Sequence, residues 1–377
     1  MKRAIWKYLG ILIILCLNLT ACRGEKNSVE ETDFSYWRVN VCYTEDGLLY
    51  HDPNTEFEGY FDYETKKYFP LCSKPECLHD SGECTSVAMK QKATMAGRLG
   101  SRWYYLAQGD NSTCAFRSCD LDGKNDREIG EFSHTFSGGS SVCPFYENSC
   151  IFSSWDPVYD KDMEWVGMTS GIYRYHFDTG EAELLCPEKT YGASGGAYEV
   201  YGLYGDQLIY VEQEETRGAV LKKMDLKTNK EEELLRADFV SVDTVEGNHA
   251  VFRMREGNIF KLSEIDLDSK KVTGIVDIAE GESVFACWMP ELKIYTVVNK
   301  TTSGSEKKFQ FKTWQYTEEE SILIREGGTQ EYFMPTAMAE EILIGQVKGG
   351  QYEGDLLAYM DKADFLSGKN NWTVLSY

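Results

Sequence analysis

An all-β fold of seven repeated four-stranded antiparallel sheets is what this 377-residue sequence predicts. Three observations carry the prediction. No long stretch past residue 33 shows sustained helical periodicity; short β-branched and aromatic runs bounded by Gly, Asn and Asp stand in its place. A turn signature of the D-L-D-G or D-x-x-T kind recurs along the chain. The recurrence comes roughly every 50 residues, the period of a four-stranded radial repeat. Composition agrees: 42% hydrophobic and 13% aromatic residues supply a core that a disordered chain lacks. The 61 acidic against 39 basic residues leave a net charge of −22, which argues against nucleic-acid binding.

Residues 1–21 read as a lipoprotein signal peptide. Lys2, Arg3 and Lys7 form a basic start, and Tyr8 to Leu17 is a short apolar run. That run is near half of the ~20 residues a spanning helix needs. Leu19-Thr20-Ala21-Cys22 resembles the bacterial lipobox. The resemblance implies cleavage before Cys22 and diacylglycerol on its thiol, hence a membrane anchor on the outer face of the cytoplasmic membrane. An ordinary signal peptide with a chance cysteine is the competing reading. Residues 22–33 form a polar tether. Residues 34–377 form a single domain. Its acidic body would stand off an anionic membrane rather than lie on it.

The repeat anchors can be read in order. They are Asp62 to Thr65, Asp120 to Gly123, His176 to Thr179, Asp225 to Thr228 and Asp266 to Ser269, then a degenerate Gln315 to Glu318, and finally Asp364 to Ser367. Each unit is one blade that cannot bury both faces alone, so blades stack radially into a seven-bladed β-propeller. Six or eight blades are the alternatives, because the last two units are least regular. Blade four shows the pattern: Tyr198 to Tyr201 innermost, then Gln207 to Glu212, Ala219 to Leu226, and Glu231 to Leu235 outermost. Ser137 to Ser141 and Ala193 to Ala197 are expected on the inner strands of blades three and four, where small residues permit close approach.

The repeat resembles the loosely related bacterial propellers that include TolB-like and low-density-lipoprotein-receptor-like domains. The signal, the lipobox and Leu71-Cys72-Ser73-Lys74-Pro75-Glu76-Cys77-Leu78-His79 resemble uncharacterised lipoproteins of gut Firmicutes. The resemblance spans the chain and implies a propeller on a lipid anchor, with no particular activity.

Cys72, Cys77, His79 and Cys84 place three thiols and an imidazole within thirteen residues of loop. That is the donor set of a closed structural zinc site. The alternative is disulfide bonding in an exported protein, with Cys42 as a fourth thiol. Structural zinc is the one cofactor the sequence offers. Cys143 and Cys150 flank a turn and are a disulfide candidate. Cys114 and Cys119 are five apart on one strand, point to opposite faces and should not pair. Gly192 to Gly196 satisfies G-x-S-x-G around Ser194, but strand-turn-helix context is missing, so inner-strand packing is the expectation. His51, His79, His134, His176 and His249 occupy unlike positions and make no axial metal triad. Asp120 to Asp126 looks like a calcium loop without its bidentate Glu, and reads as a hairpin turn.

Blade three carries an insertion, Trp155 to Trp165, in which aromatics interleave with acids. Trp155, Tyr159 and Trp165 are the ligand-binding candidates, offering stacking faces beside hydrogen-bond acceptors. The competing reading folds them back onto the sheet. The functional expectation is a binding or scaffolding module without catalytic residues, a monomer meeting a protein, peptide or glycan. The alternative is an extracellular lyase or hydrolase on glycans or peptides, working through the central channel with acids and Arg38, Arg98 and Arg102.

Overall fold

The computed structural model describes residues 41–375, apart from 45, 51–54, 56, 109–113, 135–142, 194, 215–217, 258, 279–281, 286–291, 304–305, 318–319, 329–331, 340 and 349–354. All described strands lie in the unit Val39–Tyr377. The calls on the signal peptide, Cys22, the tether, Arg38, His51, Ser137 to Ser141 and Ser194 lie outside the described residues. No helix among the described residues is long and apolar enough to cross a membrane.

Seven antiparallel sheets follow one another along the chain as the blades of a β-propeller. Blade one is β1 (Val41–Tyr43), β2 (Gly47–Tyr50), β3 (Gly59–Asp62) and β4 (Lys67–Pro70); helix α1 (Thr85–Lys92) precedes blade two. Blade two is β5 (Ala93–Leu99), β6 (Arg102–Gln108), β7 (Cys114–Asp120) and β8 (Arg127–Phe132). Blade three comprises β9 (Phe145–Tyr146), β10 (Ser149–Ser153), β11 (Asp156–Tyr159), β12 (Trp165–His176) and β13 (Glu181–Gly192). Blade four runs through β14 (Ala197–Tyr204), β15 (Gln207–Glu214), β16 (Gly218–Asp225) and β17 (Lys230–Ala237). Blade five is β18 (Phe239–Glu246), β19 (His249–Glu256), β20 (Ile259–Asp266) and β21 (Val272–Ile278). Blade six is β22 (Glu282–Phe285), β23 (Ile294–Ser303), β24 (Glu306–Tyr316) and β25 (Ser321–Gly328). Blade seven is β26 (Phe333–Ala339), β27 (Ile342–Lys348), β28 (Asp355–Asp361), helix α2 (Lys362–Leu366) and β29 (Trp372–Val374).

The anchors fall where the third strand of a blade turns into the fourth. Asp225 Oδ1 accepts from the Thr228 N–H and hydroxyl, each at 2.9 Å, and Asp62 Oδ1 holds Thr65 in the same way at 2.7 and 2.6 Å. Asp266 accepts from the Ser269 N–H at 2.7 Å. These side-chain-to-backbone bonds reproduce a turn without help from the sheet, which is why the signature repeats. Blade seven departs from it: Asp364 to Ser367 lies on α2 and beyond, where Asp364 accepts from Lys369 and Asn371. A second repeat is invisible in the sequence. The register slips by one residue between the first two strands of blades two, four, five and seven. A bulge there adds twist where the blades converge.

Each core cluster is a seam between two blades. Tyr201, Ile209 and Leu221 of blade four meet Val240, Phe252 and Ile265 of blade five. Cys114 packs into the seam of blades two and three and Cys119 into the seam of blades one and two. They point to opposite faces of β7, as their spacing requires. The ring closes between blades one and seven by side-chain packing. Leu48, Tyr50 and Phe61 pack against Ile342, Ile344 and Leu357; the Leu357 N–H donates to the Tyr50 hydroxyl at 3.2 Å, and Phe61 stacks on Tyr359. Among the described residues no strand of one terminus joins the sheet of the other.

Candidate functional site

In a four-stranded meander, the turn between strands two and three and the link to the next blade emerge on one face of the ring. The Asp turns emerge on the other. The first face carries the His134 cluster and the blade-three insertion, and the thiol cluster lies on a link that leaves this face and reaches the Asp122 turn of blade two. Its links run from β4 to β5 (71–92) and from β8 to β9 (133–144), and the insertion of blade three rises from it.

The link after blade one holds the cysteine cluster. One donor atom each from Cys72, Cys77, His79 and Cys84 lies within 4.8 Å of all the others. His79 Nδ1 stands 3.4 Å from Cys84 Sγ. Cys84 caps the N-terminus of α1 and is buried against Phe57 and Val87. All three thiols are unpaired. Burial pushes the Cys72 thiol up, but the Lys74 backbone and the neighbouring Cys84, Thr85 and Cys77 outweigh it and hold it below the ordinary range. Burial, with Cys72 and Cys77 alongside, pushes the Cys84 thiol up to about 11. Glu76 and His79 adopt left-handed backbone, φ 60° and 54°, an uncommon conformation for residues with a side chain.

The insertion of blade three is a projecting hairpin. Strand β12 is long; its second half pairs with β10 and its first half with β11, while β13 follows its other edge. The tip is tied by Asp160, whose Oδ1 accepts from the Asp162 and Glu164 N–H groups at 2.8 and 3.0 Å. Tyr159 lies directly across from Trp165, so the two rings share a face, and alternation puts Trp155 and Pro157 on it as well. Tyr159 is 51% exposed, Trp165 42%, and Met163 at the tip 76%. Trp155 leans back, its indole N–H donating to Met168. The candidates therefore stand together and exposed, two at the tip and Trp155, at 38%, nearer the hairpin's base.

The hairpin's other face bears a cluster that sequence reasoning missed. His134 Nδ1 is 2.8 Å from Asp156 Oδ2 and 3.7 Å from Glu188 Oε1. The Tyr173 hydroxyl donates to Glu188 at 2.6 Å and lies 3.4 Å from His134 Nε2. The His134 ring stacks on Tyr173. Burial, together with Glu188, raises the Tyr173 phenol far above its ordinary value. His134 comes from the link after blade two, Asp156 opens β11 and Glu188 sits on β13. Only the extended hairpin brings them together. The one available signal was an imidazole in a link next to an aromatic-acidic insertion.

Other candidates do not converge. Arg98 is paired with Asp46 at 2.5 Å and Arg102 with Asp120 at 2.5 Å, both at turns on the opposite face. Asp126 takes Arg117 at 3.0 Å and the Tyr105 hydroxyl at 2.6 Å, so the calcium-like segment is a hairpin turn tied by arginines. His176 and His249 each meet a single carboxylate, Glu183 and Glu264. Cys143 and Cys150 lie together in the seam of blades two and three, both as thiols. Around Ser194, Gly192 ends β13 while Gly195 and Gly196 precede β14, so these glycines lie ahead of the inner strand rather than on it as expected, because β14 begins only at Ala197. On the inner strands, Asp243 pairs with Arg253 at 3.0 Å beside Ser241, and Tyr201 donates to Glu199.

No protein-family model and no curated protein sequence matches this chain. Solved structures do. One of two prolyl endopeptidases studied for inter-domain dynamics aligns over 89% of this chain and 48% of its own, with TM-score 0.53 at 8% identity. The Pyrococcus horikoshii acylaminoacyl peptidase aligns over 90% and 52%, with TM-score 0.50 at 11% identity. TolB from Acinetobacter baumannii aligns over 86% and 76%, with TM-score 0.39 at 12% identity. This chain spans about half the length of the two peptidases. At such identities the likeness is one of fold alone, and the fold is a seven-bladed β-propeller.

Proposed function

We propose that this chain is a lipid-anchored binding propeller outside the cytoplasmic membrane, and that its ligand contact is the aromatic face of the blade-three hairpin. The carrying observation is that Tyr159 and Trp165 face outward together, with Trp155 behind them. Stacking platforms of this kind suit the flat apolar faces of a saccharide or of a peptide's rings and prolines. Asp160, Asp162 and Glu164 ring the tip with acceptors and disfavour an anionic ligand. The anchor rests on the Leu19 to Cys22 box.

The test uses the mature body, beginning after Cys22, on glycan and peptide arrays, followed by tryptophan-fluorescence titration of hits. Tyr159→Ala with Trp165→Ala should cost tenfold or more in affinity and leave the melting temperature near wild type. Binding unaffected by the double variant would refute the site. Cys22→Ser in the full chain should abolish lipid labelling and membrane partitioning; unchanged labelling would refute the anchor.

A second reading, an enzyme, draws on the imidazole of His134 between Asp156 and Tyr173 rather than on the channel. A carboxylate-oriented imidazole is a general-base arrangement. Turnover of an array hit, lost in Asp156→Asn with binding retained, would favour it.

A further inference from the structure

We propose that Cys72, Cys77, His79 and Cys84 hold a structural Zn²⁺ ion that serves as the core of the link between blades one and two. The sequence offers this donor set with a disulfide alternative, and the structure separates the two in three ways.

The first is geometry. Four donor atoms that all lie within 4.8 Å of one another are close enough for all four to reach one ion, whereas a disulfide would use only two of them. With Zn–S near ~2.3 Å and Zn–N near ~2.0 Å, tetrahedral edges come to roughly 3.5–3.8 Å. The His79 Nδ1 to Cys84 Sγ separation of 3.4 Å comes within a few tenths of an ångström of the nitrogen–sulfur edge. A disulfide gives the imidazole no place.

The second is burial. Between Cys72 and Glu83, every side chain is exposed except Cys72, Cys77 and His79. Leu78, the segment's only aliphatic side chain, is 82% exposed. A loop that turns only its metal-type donors inward has no apolar core of its own, and small polar loops of this kind are held by staples. The left-handed Glu76 and His79 place Cys77 and His79 toward the same point.

The third is attachment. Cys84 is fixed by α1 and packs with Phe57 and Val87, and Cys72 lies two residues past the end of the outer strand of blade one. The Ser73 hydroxyl donates to Asp122 and the Thr85 hydroxyl to the Leu71 carbonyl, so the loop also touches the Asp turn of blade two. An ion here ties two blades through residues the sheets cannot hold. Binding releases three thiol protons, and three thiolates with a neutral imidazole leave the complex at net charge −1. With all four positions filled by protein, the site has no opening for substrate.

The test is elemental analysis of the whole mature protein, with Co²⁺ exchange and mass mapping of alkylated cysteines. One zinc per chain is expected, with Cys72, Cys77 and Cys84 protected from alkylation until a chelator is added. Co²⁺ should give thiolate charge-transfer bands and the intense visible bands of a tetrahedral site. His79→Ala should lower zinc affinity at least tenfold, and His79→Cys should restore it, so loss of folding in one variant does not decide the matter. A two-dalton mass deficit linking two of these cysteines would overturn the proposal. So would thiols that react freely without chelator, or zinc that survives Cys77→Ser with His79→Ala at full stoichiometry, which marks an adventitious ion.

Discussion

Replacing Leu357 by alanine tests whether packing alone closes the ring. Leu357 is fully buried between blades seven and one, among Leu48, Tyr50, Phe61 and Ile344, and its N–H is held by the Tyr50 hydroxyl. Every other seam joins blades that are continuous in the chain; this one joins the first to the last. Truncation removes buried methyl groups and leaves a cavity, a loss of about 3 kcal/mol. If opening the seam is the cheapest local unfolding, that loss raises the open population by roughly two powers of ten. Native hydrogen exchange read by mass spectrometry should show β1–β4 and β26–β29 accelerating together by about 100-fold, with β14–β21 nearly unchanged. Leu221→Ala, equally buried in the seam of blades four and five, is the control. It should lose similar stability in urea without paired opening of the terminal blades. Uniform acceleration in all blades, or acceleration confined to β28, would refute the reasoning.

Two further perturbations follow from buried charges. Burial moves the Asp243 carboxyl up to about 6 against the opposing pull of Arg253. The folded state therefore keeps a proton that the unfolded state gives up near 3.8, and stability falls as pH rises through that window, by about 3 kcal/mol in all. Asp243→Asn should remove that slope in urea melts between pH 4 and pH 7, and parallel pH profiles would contradict the assignment. Glu212 is buried at 2% exposure with Lys189 and Lys222 on its carboxylate, which stays ionised below its usual range because those bonds outweigh the desolvation that raises it. Glu212→Gln leaves Lys222 half-buried with only the longer contact to Glu231 at 3.5 Å, so about 2–3 kcal/mol should be lost in urea denaturation. An unchanged midpoint would show that both ammonium groups simply rehydrate.

The repeat was legible because its turns make themselves. An Asp that bonds the residue three ahead needs no tertiary partner, so D-x-x-T at Asp62 and Asp225, and D-x-x-S at Asp266, survive as a local signal. Blade four could be drawn nearly strand for strand, since its runs alternate cleanly between the glycine and Asp turns. Blade three could not. Its inner strand is the two-residue Phe145–Tyr146, and its second strand is broken into β10 and β11 at Ser154 and Trp155. No local pattern marks such an interruption. The cysteine cluster was legible because its members are close in sequence. The His134, Asp156 and Glu188 cluster was not, because its members come from three elements, and only the pairing of β11 with β12 and of β12 with β13 brings them together.

The same contrast divides the two faces of the ring, and it indicates where function should be sought. On the Asp-turn face, short turns recur because the chain must reverse there in every blade, and their side chains are spent on their own backbone or on arginines such as Arg102 and Arg117. On the opposite face the links are not constrained to reverse a hairpin. Between blades four and five the link is the single residue Asp238, whereas blade one passes to blade two through 71–92. Elaboration is concentrated on blades one to three: the thiol cluster, the His134 cluster and the aromatic hairpin all lie there. A loop that only joined blades would need none of these, and 71–92 is far longer than the strand spacing requires. A segment of that length must be ordered at a cost of ~1–2 kcal/mol per residue. Its ends are held by Leu71, Val87 and Met89 in the core, whereas 73–83 buries no aliphatic side chain and is the part the proposed ion would order. A binding face needs a rigid platform, and the hairpin supplies one: β12 is paired along both edges, with β11 and with β13, so a ligand that stacks on Tyr159 and Trp165 has little to immobilise.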